Sequence, residues 1–154
     1  MPQPRRATGP RLVISDLDGT LADIEHRLHW IHRDDPDWTR FFLACVDDTP
    51  IENTITVLRT LHAAGYEVVI ASGRGDVARQ ETADWLARHD VPYDRLILRR
   101  IDDGRHDDEV KTEMVREHGL DPQDTLVVLE DRASVVAVWR RLGFHVFQVA
   151  DGNF

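Results

Sequence analysis

Five short apolar runs, separated by segments of helical periodicity, constrain this chain more than any other feature. The runs are residues 12–14 (LVI), 66–71 (YEVVIA), 95–99 (RLILR), 125–130 (TLVVLE) and 145–149 (HVFQV). They are rich in β-branched residues and bounded by Gly, Asp or Pro, which is how buried strands read. Residues 51–65 place Ile51, Ile55, Leu58 and Leu61 on one helix face and stop at Gly65. Residues 77–90 do the same with Ala78, Thr82, Trp85 and Leu86, and two further helical segments (107–119, 133–143) also end on glycine. Strands alternating with helices require βαβ crossovers, so the expected fold is α/β with a parallel sheet covered on both faces.

Residues 21–50 break the alternation. They carry Trp30, Trp38, Phe41 and Phe42, and two short helices are expected there. The aromatics read first as a local mini-core and alternatively as a cover over the mouth of the sheet that touches substrate. At 154 residues the chain reads as one domain, residues 11–154, with 21–50 as a small cap-like insert. Residues 1–10 (MPQPRRATGP) read as a disordered tail. They lack the apolar core of a secretion signal, and no run reaches membrane-spanning length, so a cytoplasmic protein without a membrane partner is expected. The single cysteine, Cys45, rules out an internal disulfide framework and reads as a small buried residue. A net charge of -9 argues against coating long nucleic-acid backbones but leaves room for a local grip on one phosphate.

The strand ends carry the chemistry. Asp16 and Asp18 follow the first run at once, Ser72, Gly73 and Arg74 follow the second, and Glu130 and Asp131 close the fourth. Ligands of open parallel sheets bind beyond the carboxyl ends of the strands. Each cluster alone could be a turn or a helix cap; their coincidence at one edge is harder to explain that way. Converging carboxylates suit a hard, oxygen-seeking cation, Mg²⁺ above all. Of 19 basic residues, Lys111 is the only lysine, and a compact ammonium is not interchangeable with a guanidinium at a tight phosphate site. A carboxylate beside a metal can attack phosphorus to form an acyl-phosphate, while a second acid gives and takes the proton.

DLDGT (16–20), SGR (72–74), Lys111 and ED (130–131) match, in order and spacing, the four motifs of the haloacid dehalogenase-like phosphohydrolases, and the chain resembles that family. The resemblance implies a three-layer Rossmann-like fold, a five-stranded parallel sheet of order 5-4-1-2-3, and a minimal cap whose open site admits large substrates. It makes Asp16 the nucleophile and Asp18 the general acid/base, the latter a mark of phosphatases. Mg²⁺ would sit on the Asp16 carboxylate, the Asp18 carbonyl and Asp131, with Glu130 beside them in the acidic set. Ser72 and Lys111 would bind the transferred phosphoryl group. From Arg11 to Phe154 the chain is also similar to the 3′-phosphatase domain of phage-type polynucleotide kinase-phosphatases. Arg27 eleven residues after Asp16, Arg99 twelve before Lys111, DDEVK (107–111) and the closing stretch from Glu130 carry this likeness. Arg27, Gly73, Arg74, Arg99, Asp107 and Arg132 are then expected to bind substrate. The likeness is weakest over 28–50, and Glu130 stands where that subfamily more often has Asp.

Several of these residues also have plain readings. Arg27 fits a solvated helical stretch, and Arg132 an ordinary helix start. Asp107 and Lys111, spaced i, i+4, fit a helix-surface pair, although the same spacing would let Asp107 aim the lysine into the site. His26, His29 and His32 lack accompanying zinc ligands. The leading expectation is a Mg²⁺-dependent phosphatase acting on 3′-phosphate ends of DNA or RNA. The alternatives are a nucleotidase or other small-molecule phosphatase and, further off, an inactive phosphate-end binding module. The chain has no P-loop, so a 5′-kinase or ligase, if one works alongside, is expected to be a separate chain. Self-association into a homo-oligomer stays open.

Overall fold

The structure is a computed structural model that describes residues 8–152. Most of the expected N-terminal tail, residues 1–7, lies outside the described residues. Strand β1 (Leu12–Ser15) is central, flanked by β4 (Glu67–Gly75) and β6 (Thr125–Arg132), with β5 (Arg95–Arg99) and β7 (Val146–Gly152) at the edges. Every pairing in this sheet is parallel. The order is β5-β4-β1-β6-β7. Two short strands of the insert, β2 (Ala22–Asp23) and β3 (Thr49–Pro50), shift the labels; among main-sheet strands alone, the order is the expected one read from the opposite edge.

Alternation along β1 divides the core. Leu12 and Ile14 join Val69, Ile97 and Val128 on one face, against Val110 and Met114 of α4 (Asp107–Glu117) and Val136 and Trp139 of α5 (Ala133–Arg141). Val13 joins Val68, Ile70 and Leu129 on the other, against Ile55 and Leu58 of α2 (Glu52–Ala63) and Trp85 and Leu86 of α3 (Arg79–Arg88). Both faces are therefore covered, as buried parallel strands need. No helix among the described residues is long and apolar enough to cross a membrane.

The strands outrun the apolar runs that mark them. β4 continues through Ser72, Gly73 and Arg74, and β6 through Glu130 and Asp131. Beyond register shifts, Gly75 still pairs with Arg99 and Arg132 with Gly152. Backbone pairing needs no apolar side chain, so the ladder runs on where hydrophobic patterning stops and carries the polar motifs on sheet backbone.

The insert departs from expectation. It contains one α-helix, α1 (Trp38–Leu43), flanked by 3-10 turns at Glu25–Trp30 and Ala44–Asp47. The antiparallel β2–β3 pair closes its neck. The first turn closes at Ile31, whose amide donates to Leu28 O, and the polar stretch around Pro36 separates it from α1. Ile24, Phe41, Phe42, Cys45 and Ala78 make a separate small core, and Cys45 is fully buried.

Gly75 anchors that core to the sheet. A Cβ there would lie 2.8 Å from two ring carbons of Phe42. Gly75→Ala is expected to cost about 1–3 kcal/mol of stability through overpacking. Combined with Phe42→Leu it should cost less than the sum of the single changes, as measured by urea unfolding.

Candidate active site

Each residue of DLDGT has a structural reason. Asp16 leaves β1 with its amide donating to Leu129 O at 2.9 Å, and is only 7% exposed. Leu17 turns into the α2/α3 core, which leaves the carboxylates on either side of it to the site. Gly19 takes φ +80°, in the left-handed region where a Cβ is penalised. Thr20 donates its hydroxyl to Asp131 Oδ1 at 3.1 Å.

Asp16 stands among acids. Asp16, Glu130 and Asp131 each offer a carboxylate oxygen within 4.8 Å of the others, and all three are buried. Burial, then the neighbouring Glu130 charge, pushes the Asp16 carboxyl well above its ordinary range, against the pull of Lys111. Burial likewise pushes up Glu130, and Asp131 rises to about 6 through burial and the charge of Asp16. Such a cluster is costly unless protonated or matched by a cation. Lys111 supplies part of that match from α4: its Nζ lies 3.5 Å from Asp16 Oδ1, donates to Ala71 O at 2.7 Å, and sits 5.6 Å from the Trp139 ring centroid. Glu130 accepts from the amides of Asp131 (3.1 Å) and Arg132 (3.3 Å) and from Trp139 Nε1 (3.4 Å). Three buried hard-oxygen donors beside a single ammonium fit a divalent cation.

Asp18 has the opposite surroundings. Its Oδ1 accepts from Arg74 Nη2 at 2.5 Å and Arg27 Nη2 at 2.8 Å. Burial alone would raise this carboxyl, but the two guanidiniums outweigh it and hold the acid below its ordinary range. Both arginines are buried in turn, and Asp48 compensates them. Arg27 Nε and Nη2 donate to Asp48 Oδ1 and Oδ2, each at 2.8 Å, and Arg74 Nη2 reaches Asp48 Oδ2 at 3.3 Å. His26 Nε2 lies 2.7 Å from Asp48 Oδ1. Two arginines and two aspartates thus close a charge-balanced quartet, buried except at Asp18, which stays partly open to the site. Arg27 is fully buried, with no surface left to hold an adjoining strand, so it bears on the site through Asp18. Asp48 was not legible in the sequence: nothing in VDD distinguishes it from the exposed Asp47.

Asp107 is also placed differently from the expected lysine guide. It takes Arg99 Nη2 on Oδ1 at 2.6 Å and Arg132 Nη1 on Oδ2 at 2.5 Å, and Lys111 is positioned instead by Ala71 O. One helical turn separates Asp107 from Lys111, but Arg99 at the end of β5 and Arg132 at the end of β6 take the carboxylate instead. Ser72, 1% exposed, accepts the Arg74 amide on Oγ at 3.1 Å and keeps its O–H as a donor.

Asp16, Asp18, Ser72, Gly73, Arg74 and Lys111 share one cavity of about 220 Å³ with Arg99, Asp107, Glu130 and Arg132. Trp38, Phe41 and Phe42 of the insert form an apolar side of it. A roomier depression of about 300 Å³ lies against α4, but there Arg105 is consumed by Asp103 and Glu113. The chemistry of the lining assigns the site to the smaller cavity.

The family model of the polynucleotide kinase PNKP phosphatase domain matches residues 10–154. A protein of Autographa californica nuclear polyhedrosis virus, named a bifunctional polynucleotide kinase/RNA ligase, is 27% identical over 135 residues, which are 86% of this chain and 18% of that one. A chain of the Pnkp1/Rnl/Hen1 RNA repair complex is 31% identical with a TM-score of 0.78, covering 100% of this chain and 47% of that chain. A dehalogenase crystal structure, 15% identical with a TM-score of 0.65, shares the fold over 94% of this chain and 86% of its own. The chain spans less than half the length of the first two relatives.

Two outcomes follow from the electrostatics. Acids whose folded pKa is raised bind more protons folded than unfolded. Their contribution is therefore complete below about pH 4 and lost as pH rises through about 6, the Asp131 value. The lowered pKa of Asp18 works the other way, below its ordinary 3.8. In chelator, the urea midpoint should fall between about pH 4 and pH 7, and Mg²⁺ should restore it most at the upper end. Asp131→Asn should flatten both dependences. Asp48→Asn strips a charge from the quartet and is expected to destabilise the fold by about 3–5 kcal/mol in the same unfolding assay.

Proposed function

This chain belongs to the polynucleotide kinase PNKP phosphatase domain family and is a haloacid dehalogenase-like phosphatase; on that premise we propose that it removes 3′-phosphates from DNA or RNA ends through an aspartyl-phosphate on Asp16. The observation that carries this reading is the gathering of the buried acids Asp16, Glu130 and Asp131 against the Lys111 ammonium, in one cavity with Ser72 and Asp18. Burial and the neighbouring acids push the Asp16 carboxyl up, so a bound cation would be what keeps it ionised as a nucleophile.

In this mechanism Lys111 and the Ser72 hydroxyl hold the phosphoryl oxygens while Asp16 attacks phosphorus. The P–O bond to the 3′-oxygen breaks as the carboxylate-phosphorus bond forms. Mg²⁺, held by Asp16 and Asp131 with Glu130 beside them, would offset the repulsion among these acids and draw electron density from the phosphoryl oxygens. Asp18 hands a proton to the departing oxygen and later takes one from the water that cleaves the acyl-phosphate. Arg74 and Arg27 hold Asp18 ionised in the resting site. A bound phosphate dianion adds like charge beside it and raises its pKa, so that Asp18 takes up a proton from solvent on substrate binding and has one to donate. Arg99 and Arg132, held by Asp107, are the cations placed to meet the adjoining nucleotide. The relatives' association with kinase, ligase and RNA repair supports an end-repair role beside kinase and ligase activities.

The deciding experiment is Mg²⁺-dependent hydrolysis of matched 3′- and 5′-phosphorylated DNA and RNA oligonucleotides, 3′- and 5′-mononucleotides and an aryl phosphate. The 3′-phosphorylated ends should be turned over fastest; faster 5′-mononucleotide hydrolysis would make the protein a nucleotidase. Asp16→Asn should lower the rate by on the order of a thousandfold or more while the fold stays intact. Lys111→Arg should cost nearly as much as Lys111→Ala, because a planar fork cannot occupy the position of the ammonium.

A further inference from the structure

One side of the cleft is not used by the chemistry at its floor. Trp38 opens α1 and is 51% exposed, although it lines the same cavity as Asp16 and Lys111. Its ring is held from beneath. It meets Phe41 edge-on at 89° and Phe42 at a 31° tilt, both with centroids 5.9 Å away. Both phenylalanines are buried. The Phe41 ring lies 4.5 Å from the Arg27 guanidinium, which in turn donates to Asp18. A continuous column of contacts therefore runs from Asp18 through Arg27 and Phe41 to Trp38, fixing the ring relative to the reacting carboxylates.

A rigid aromatic ring left half in water beside a phosphate site suits one occupant. The cavity already carries Arg99 and Arg132 for anionic groups and Lys111 for the phosphoryl group, so the apolar side is left for the part of the substrate with a π face. At about 220 Å³ the cavity is smaller than the roughly 300–1,000 Å³ usual for whole drug-sized ligands. It encloses the phosphoryl group and its neighbours and leaves a base to rest on the rim. Base–aromatic stacking is indifferent to sequence, because every base offers a π face. Resting on the reading of this site as a nucleic-acid-end phosphatase, we propose that Trp38 is the stacking platform for the nucleobase of the nucleotide that bears the scissile phosphate.

The test is steady-state kinetics on two substrate pairs. One pair is a 3′-phosphorylated oligonucleotide and its twin with an abasic terminal nucleotide; the other is a nucleoside 5′-monophosphate and ribose 5-phosphate. In the wild type the base should lower KM by about fivefold or more, with little dependence on which base is present. Trp38→Phe should keep a large part of that ratio. Trp38→Leu, which still covers Phe41 and Phe42 but has no π face, should bring the ratio toward one, as should Trp38→Ala. The proposal is overturned if the wild type shows no base dependence, or if Trp38→Leu retains the wild-type ratio. The 3′ against 5′ comparison is read separately. Faster turnover of the 5′ pair removes the strand-end reading, while the base dependence within either pair still decides the role of Trp38.

Discussion

Two carboxylates stand on either side of Leu17, and the rest of the site exists to keep them in opposite electrostatic surroundings. Asp16 shares a buried cluster with Glu130 and Asp131, relieved in part by Lys111. Asp18 is clasped by Arg74 and Arg27. Residues this close in sequence would ordinarily titrate alike. They differ because Leu17 is driven into the core between them, and because the sheet brings acids to one side and the insert brings arginine to the other. Strands β1, β4 and β6, α4 and the insert all contribute to that division.

The insert is thereby more than a cover. Arg27 and Asp48 belong to it, and together with Arg74 of β4 they form the quartet on which the state of Asp18 depends. Trp85 of α3 donates to Asp48 O at 2.9 Å, tying the quartet to the α2/α3 core. Phe42 packs on Gly75, the last residue of β4. The same segment that presents aromatic rings to the cleft thus sets the electrostatics around Asp18. Both readings of its aromatics, mini-core and cleft wall, describe it.

Much of this was legible beforehand for physical reasons. The five strands and four long helices announce themselves because burial on two faces demands continuous apolar runs and helical burial demands a period near 3.6. The polar clusters at strand ends stood out because parallel sheets direct their carboxyl ends to one edge. The insert is less legible. Its elements are too short for periodicity to register, so one α-helix between two 3-10 turns, closed by the short β2–β3 pair, stands where two helices are expected. Of its buried charged pair, Asp48 gives no local signal, and Arg27 is marked only by the family resemblance.

The order of residues along the chain is enough for the fold class, the edge at which chemistry gathers, and the identities of Asp16, Asp18, Ser72, Lys111, Glu130 and Asp131 as groups at that edge. Those follow from pattern and spacing along the chain. The tertiary structure alone decided who pairs with whom. Arg27 went inward because Asp48, 21 residues on, offers it a bidentate partner. Asp107 turned from Lys111 to Arg99 and Arg132, since contacts across elements compete with the i, i+4 neighbour on equal terms. Buried charges choose partners by proximity in three dimensions, and a linear sequence does not encode that distance.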